Sequence, residues 1–308
     1  MNDAIILKDV QKRFGDKIAV NGLSLNVPAG CIYGFLGPNG AGKTTTLRMI
    51  LGIFYADSGE VTVLGQNDPT SVKERIGYLP EDRGLYDKMN VADLLTYFAE
   101  LKGMQRGVAR QKAYSLLKEF GLGEWSDKRC QSLSKGMAQK VQILRTLIHE
   151  PELVILDEPF SGLDPVNRDL MRDMIVDLKN RGRSVVFSTH VMEQAEQICD
   201  SVLLIDNGIK VLDGSVADVR SAGGRAVRLD YDGDGSKLAT LPGVAGVSDA
   251  GKQAEIFLKE GADSQRFLSD LVESGIQVRR FDLTELSLHE IFIRTVNGGT
   301  IKGGGEGE

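Results

Sequence analysis

The 308-residue sequence contains no apolar run near the roughly 20 residues that cross a bilayer, so any membrane role falls to a partner. Its three cysteines, Cys31, Cys130 and Cys199, form no Cys-x-x-Cys pair and are odd in number; a reducing cytosol is the simplest setting. Basic excess is also missing. Lys and Arg number 37 against 43 Asp and Glu, giving a net charge of −6 and a pI near 5.3. That argues against a general nucleic-acid surface but leaves room for an anion held by a local site. The start, MNDAIILKDV, is acidic and short in apolar length, unlike a signal peptide. No internal repeat is visible. What is present is 42% apolar content over this length, enough for a core and two domains.

Short apolar segments at 4–10, 23–27 and 61–64, punctuated by Gly, Asn and Pro, read as strands of a mixed sheet. CIYGFLG from Cys31, LVILD from Leu153 and SVVFST from Ser184 do not alternate, which suits strands buried on both faces of a parallel sheet. Helical patterns lie between them. One follows the first buried strand over 43–52. Another, over 91–102, puts Val91, Leu94, Leu95 and Phe98 on one face with Asn90 as cap. A third ends near Phe120 with Gly121 at C′, and a fourth runs from Lys135 to Glu150, where Pro151 stops it. VLLIDNGIKVL reads as a hairpin on Asn207-Gly208. Composition changes at SAGGR, 221–225. Beyond it, strands at 226–231, 244–248, 253–259 and 276–282 with helices near 236–241 and 263–274 give a βαββαβ order, a small ferredoxin-like unit with an added helix. Ser287 and Glu290 form a capping box with Leu286 and Ile291 as staple, and the tail from 298 reads as flexible.

GPNGAGKTT at 37–45 matches G-x-x-x-x-G-K-[ST], after a buried strand and before a helix. In the stretch Gly37, Pro38, Asn39, Gly40, Ala41 and Gly42, the glycines let backbone N–H groups wrap a polyphosphate at a helix N-terminus. Lys43 reaches the outer phosphates, and Thr44, followed by Thr45, offers a hydroxyl to Mg²⁺. LVILDEP ends a buried strand on two carboxylates. Asp157 suits Mg²⁺, and Glu158 suits orienting and polarising a water. Either could instead cap the next element. Asp164, in SGLDP, reads as a turn residue. His149 sits at a helix end where a cation is welcome. His190 ends the strand SVVFST on the same sheet edge as Glu158. The acidic DYDGDGS at 230–236 lacks the full calcium-loop frame and reads as a turn.

Taken in order, GPNGAGKTT, YLPE, LSKGM, LVILDEP, SGLD and STH resemble the nucleotide-binding subunits of ATP-binding-cassette (ABC) transporters, over about residues 4–220. The resemblance implies an α/β phosphate-loop fold with a mixed-sheet core, an N-terminal antiparallel β subdomain and a helical subdomain over about 84–150. A C-terminal α+β accessory domain follows over 221–297. It implies ATP and Mg²⁺ as ligands and a homodimer in which Ser134, Lys135, Gly136 and Met137 of one copy cover the γ-phosphate on the other. By the same resemblance Asp164 links the two sites, His190 contacts the γ-phosphate, and Glu81 senses Mg²⁺ and the attacking water. Phe14 stacks on adenine with Val20 nearby, although a Phe before Gly-Asp also suits hairpin packing. Two departures stand out: LSKGM replaces LSGGQ, and Glu81 replaces a Gln. LPEDRGLY, LSKGM and SLHEIFIRTV resemble an exporter branch that includes sodium and drug efflux subunits. The implied protein is an ATPase on the cytoplasmic face of the membrane, driving a separate permease, with no nucleic-acid partner. The competing readings are a soluble cassette ATPase acting on ribosomes or DNA, and a nucleotide-dependent regulator.

Overall fold

The computed structural model describes residues 3–81, 84–259 and 261–296. The chain divides into two compact units, 1–213 and 214–308. That boundary falls before the composition change at SAGGR, because the helix over 216–223 packs against the last helix of the second unit.

In the first unit β1 (Asp3–Phe14), β2 (Lys17–Pro28), β3 (Ile32–Leu36), helix α1 (Lys43–Ile50), β4 (Ser58–Val63) and β5 (Ile76–Leu79) come first. Helices α2 (Val91–Leu101), α3 (Arg106–Glu119) and α4 (Lys135–Leu147) follow, then β6 (Leu153–Leu156), α5 (Pro165–Asn180), β7 (Ser184–Thr189), α6 (Met192–Ile198), β8 (Ser201–Asp206) and β9 (Ile209–Ser215). The first strands do not join the parallel sheet. β1, β2 and β4 make a separate antiparallel sheet in the order β2-β1-β4. A six-stranded sheet runs β5-β6-β7-β3-β8-β9, parallel from β5 through β8. Every residue of β3, β6 and β7 is buried, which is why their sequences do not alternate. Asn207 and Gly208 both take positive φ, 47° and 78°, at the β8–β9 turn.

The helices have their own core of Val91, Leu94, Leu95, Ala113, Leu117, Val141 and Leu144. Asn90 has the extended backbone of a cap, but its side chain donates to Asp93 (3.4 Å) instead of accepting from the helix. Gly121 takes φ 72° just beyond α3, as a C′ glycine does. α4 ends at Leu147, three residues before Glu150, which takes φ 55° ahead of Pro151. His149 does not serve as a helix-end cation. Burial, helped by Lys102 and Lys112, pushes its pKa down to about 4, and Nε2–H donates to the Ile76 carbonyl at 3.1 Å.

The second unit starts with α7 (Val216–Gly223). Strands β10 (Arg225–Asp232), β11 (Val244–Asp249) and β12 (Gln253–Leu258), helix α8 (Ser264–Glu273), β13 (Gln277–Glu285) and α9 (Leu288–Val296) follow. The order β11-β12-β10-β13, antiparallel throughout, is that of a ferredoxin-like sheet. Its first helix is reduced to a 3₁₀ turn, Gly235–Thr240, capped by Asp234. Leu229, Ile256, Phe267 and Leu271 fill its core. Ser287 and Glu290 exchange hydrogen bonds, Glu290 N–H to Ser287 Oγ (3.3 Å) and Ser287 N–H to Glu290 Oε2 (2.6 Å). The tail from 298 lies outside the described residues.

Candidate functional site

A cleft of about 380 Å³ opens where β3 passes into α1; Phe14, Lys17, Ala19, the 39–45 loop and helix start, Glu81 and Glu158 line it. Gly37, Gly40 and Gly42 take φ 150°, 82° and 108°. A Cβ on Gly37 would lie 2.0 Å from the Ile205 carbonyl oxygen of β8, and one on Gly42 would lie 2.5 Å from that of Ala19. The loop therefore rests directly on strand backbone, and only glycine permits the approach. Gly42 has no side chain with which to cap α1, and no acid stands in the first turn. The leading N–H groups, and the positive end of the helix, are left for an anion. Lys43 folds back over the loop, with Nζ 2.6 Å from the Gly37 carbonyl, 3.1 Å from that of Pro38 and 3.6 Å from Glu158 Oε1. Burial lowers its pKa, opposed chiefly by Glu158.

The two strand-end carboxylates differ in surroundings. Asp157 is fully buried. Its Oδ1 accepts from Ser188 Oγ (2.6 Å) and Thr44 Oγ1 (3.1 Å), while Oδ2 is buried without a hydrogen-bond partner among the described residues. A buried oxygen of this kind, beside a hydroxyl, is a hard-donor set that fits Mg²⁺. Glu158 follows in a left-handed backbone, φ 48°, a conformation costing about 1–3 kcal/mol outside glycine. Its N–H donates to Ser188 Oγ at 2.9 Å, and its Oε2 lies 3.0 Å from His190 Nδ1. The carboxylate thus reaches both the phosphate-loop lysine and the histidine that follows β7.

The remaining expected residues divide. Phe14 lines the cleft, 44% exposed, with its ring edge-on at 5.3 Å to Phe54, in the connection between α1 and β4. Val20 does not reach the cleft. It is fully buried in the core, because side chains alternate along β2 and Ala19 points the other way. Glu81 lines the cleft. Ser134 caps α4, accepting from Met137 N–H at 3.4 Å. None of Ser134, Lys135, Gly136 and Met137 lines this cleft. Lys135 and Gly136 lie instead near α5 and the segment before it: a Cβ on Gly136 would meet the Asn167 amide at 3.0 Å, and one on Gly162 would meet Lys135 Nζ at 3.7 Å. Asp164 caps α5, accepting from Asn167 N–H (3.0 Å) and Nδ2 (2.6 Å), which lowers its pKa. Sequence reasoning missed Lys17, Ala19 and Ser188. Ser188 stood in the STH string but was passed over for the histidine beside it.

A phosphate loop closed on strand backbone, paired strand-end carboxylates and a capped helix set apart from the cleft define an ATP-binding cassette. Residues 20–161 match the ABC transporter family, and residues 214–296 match the C-terminal domain of DrrA1-3-like ATP-binding proteins. The chain is 40% identical to the uncharacterized ABC transporter ATP-binding protein YhaQ of Bacillus subtilis, over 95% of this chain and 98% of that protein. It is also 40% identical to the ABC transporter ATP-binding protein NatA of the same organism, over 69% of this chain and 89% of NatA. The Nod factor export ATP-binding protein I of Burkholderia orbicola is 39% identical, over 68% of this chain and 70% of that protein. Among solved structures, an ATP-binding subunit of an ABC transporter superposes with TM-score 0.65 at 29% identity, covering 71% of this chain and 92% of that one. The cbiO1 protein of Clostridium perfringens, part of the complex cbiONQ, gives TM-score 0.65 at 25% identity, over 72% and 92%. The chain belongs to the ABC transporter ATP-binding proteins. It is an ATPase whose hydrolysis is coupled to membrane transport.

Proposed function

We propose that two copies of this chain clasp Mg²⁺-ATP between them and drive an exporter through a separate permease. The observation that carries the paired arrangement is the separation of Ser134–Met137 from the chain's own cleft. The capped start of α4 offers backbone N–H groups, a helix dipole and Lys135, yet it serves no phosphate within its own copy. Stacked head to tail, each copy supplies what the other's phosphate loop lacks.

In this reading the 39–42 N–H groups and Lys43 hold the phosphates, Phe14 packs on the base, and Thr44, Asp157 and Glu81 would hold Mg²⁺. A cation held by those residues would supply positive charge against the phosphates. Glu158 accepts a proton from the attacking water, and His190 fixes the carboxylate through Nδ1 while facing the terminal phosphate. Asp164 orders the turn that joins the two sites.

The permease docks near Glu81 and the helical subdomain. Tyr86 and Tyr97, 54% and 41% exposed, cluster with Phe98 there, supported by Arg145, whose guanidinium lies 4.7 Å from the Phe98 ring. No helix among the described residues is long and apolar enough to cross a membrane, so attachment to the cytoplasmic face runs through that partner. The likeness to the Nod factor export ATP-binding protein I supports the exporter direction.

Mixing tests the pairing. Lys43→Ala copies and Ser134→Arg copies should each be inactive. In a mixed pair one site regains both intact halves, so an equal mixture should recover roughly a quarter of wild-type turnover. No recovery, where cross-linking shows that mixed pairs form, refutes the shared site.

A further inference from the structure

We infer that Ser188 is the positioning residue of the hydrolytic site, one hydroxyl that sets both carboxylates at once. This rests on the Mg²⁺-ATP reading above. Ser188 lies on β7 beside β6 and is fully buried. Its Oγ donates to Asp157 Oδ1 at 2.6 Å and accepts the Glu158 backbone N–H at 2.9 Å. A hydroxyl has one proton and two lone pairs, so both bonds form together.

The consequences follow from geometry. With Oδ1 held by Ser188 and Thr44, the Asp157 carboxylate cannot rotate freely, and Oδ2 is the oxygen left without a partner. That is the oxygen available to a cation. The second bond holds the Glu158 amide, at the residue whose backbone takes the costly positive φ. Losing it strands a buried N–H and removes a restraint on the turn that aims Glu158 at Lys43 and His190. His190 ends the same chain segment two residues later, so one register of β7 fixes the hydroxyl and the imidazole together.

Ser188→Ala removes the hydroxyl from a fully buried position, and Ser188→Cys keeps a weaker donor on a somewhat larger atom. The measurement is equilibrium binding of a fluorescent ATP analogue, in EDTA and across a Mg²⁺ titration, with phosphate release in parallel. Ser188→Ala should keep wild-type affinity in EDTA, because the phosphate loop is untouched. Its half-saturating Mg²⁺ concentration should rise about tenfold, the scale of one hydrogen bond to a charged group. Turnover at saturating Mg²⁺ should fall by a similar factor, and Ser188→Cys should lie between. An unchanged Mg²⁺ dependence in Ser188→Ala, with wild type responding normally, overturns the inference and leaves the proposed function standing. So does an equal loss of affinity with and without Mg²⁺, which marks a merely structural role. A wild type that binds the analogue equally in EDTA and Mg²⁺ overturns the Mg²⁺-ATP reading, and this inference with it.

Discussion

Replacing Glu158 by Gln separates the proton acceptance proposed for it from everything else the residue does. The backbone is held independently, by the N–H bond to Ser188 Oγ at 2.9 Å. The side chain has two neighbours, Lys43 Nζ 3.6 Å from Oε1 and His190 Nδ1 3.0 Å from Oε2. A glutamine can satisfy both in one orientation. Its oxygen faces the ammonium, and its amide N–H₂ donates to Nδ1 of the His190 tautomer that carries its proton on Nε2. Position and volume are therefore kept, while the group proposed to take a proton from water is gone. A general base contributes about 10²–10⁴-fold, or roughly 3–5 kcal/mol in the barrier. Turnover, followed as phosphate release, should fall by that factor. Binding of a fluorescent ATP analogue should hold or tighten, since the negative charge closest to the phosphates is removed. Turnover within threefold of wild type, at unchanged affinity, refutes the assignment of Glu158 as base.

Gly37→Ala should reduce ATP affinity by at least about 10²-fold, because its Cβ lands 2.0 Å from the Ile205 carbonyl oxygen and the loop must move; equilibrium binding checks it. His149 makes stability depend on pH. Its folded pKa of about 4 lies below the ordinary 6.5, so between those values the unfolded chain binds more protons and stability falls as pH drops. At pH 5 this amounts to about 1–2 kcal/mol after allowing for the ring's partial exposure, while above pH 7 it vanishes. His149→Gln should flatten that part of the profile, measured by urea unfolding at pH 7.5 and 5; an unaltered slope counts against it. Ser287→Ala should destabilise the C-terminal unit by about 1 kcal/mol through loss of the α9 cap, read as a lower unfolding midpoint.

Local rules made much of this chain legible. The phosphate loop needs glycines at fixed offsets, and its sequence states them. The unalternating runs of β3, β6 and β7 announce burial on both faces. The Ser287–Glu290 capping box and the C′ glycine Gly121 follow from local needs within a few residues. Failures occurred where the answer lay on another element. Asn90 looked like a cap, but Asp93 claims its side chain. His149 looked like a helix-end cation until burial and two lysines are counted. Val20 looked close to the base, yet the pleat of β2 turns it into the core and offers Ala19 instead.

The sequence by itself determined the cassette, because each of its motifs carries its chemistry in a short window and the motifs appear in one order. Only the tertiary structure decided which groups meet. Ser188 bridges Asp157 and Glu158 across adjacent parallel strands, 31 and 30 residues apart along the chain, and Lys43 meets Glu158 across the same sheet edge. Strand register sets those distances, and register is a property of the packed sheet that no local window contains.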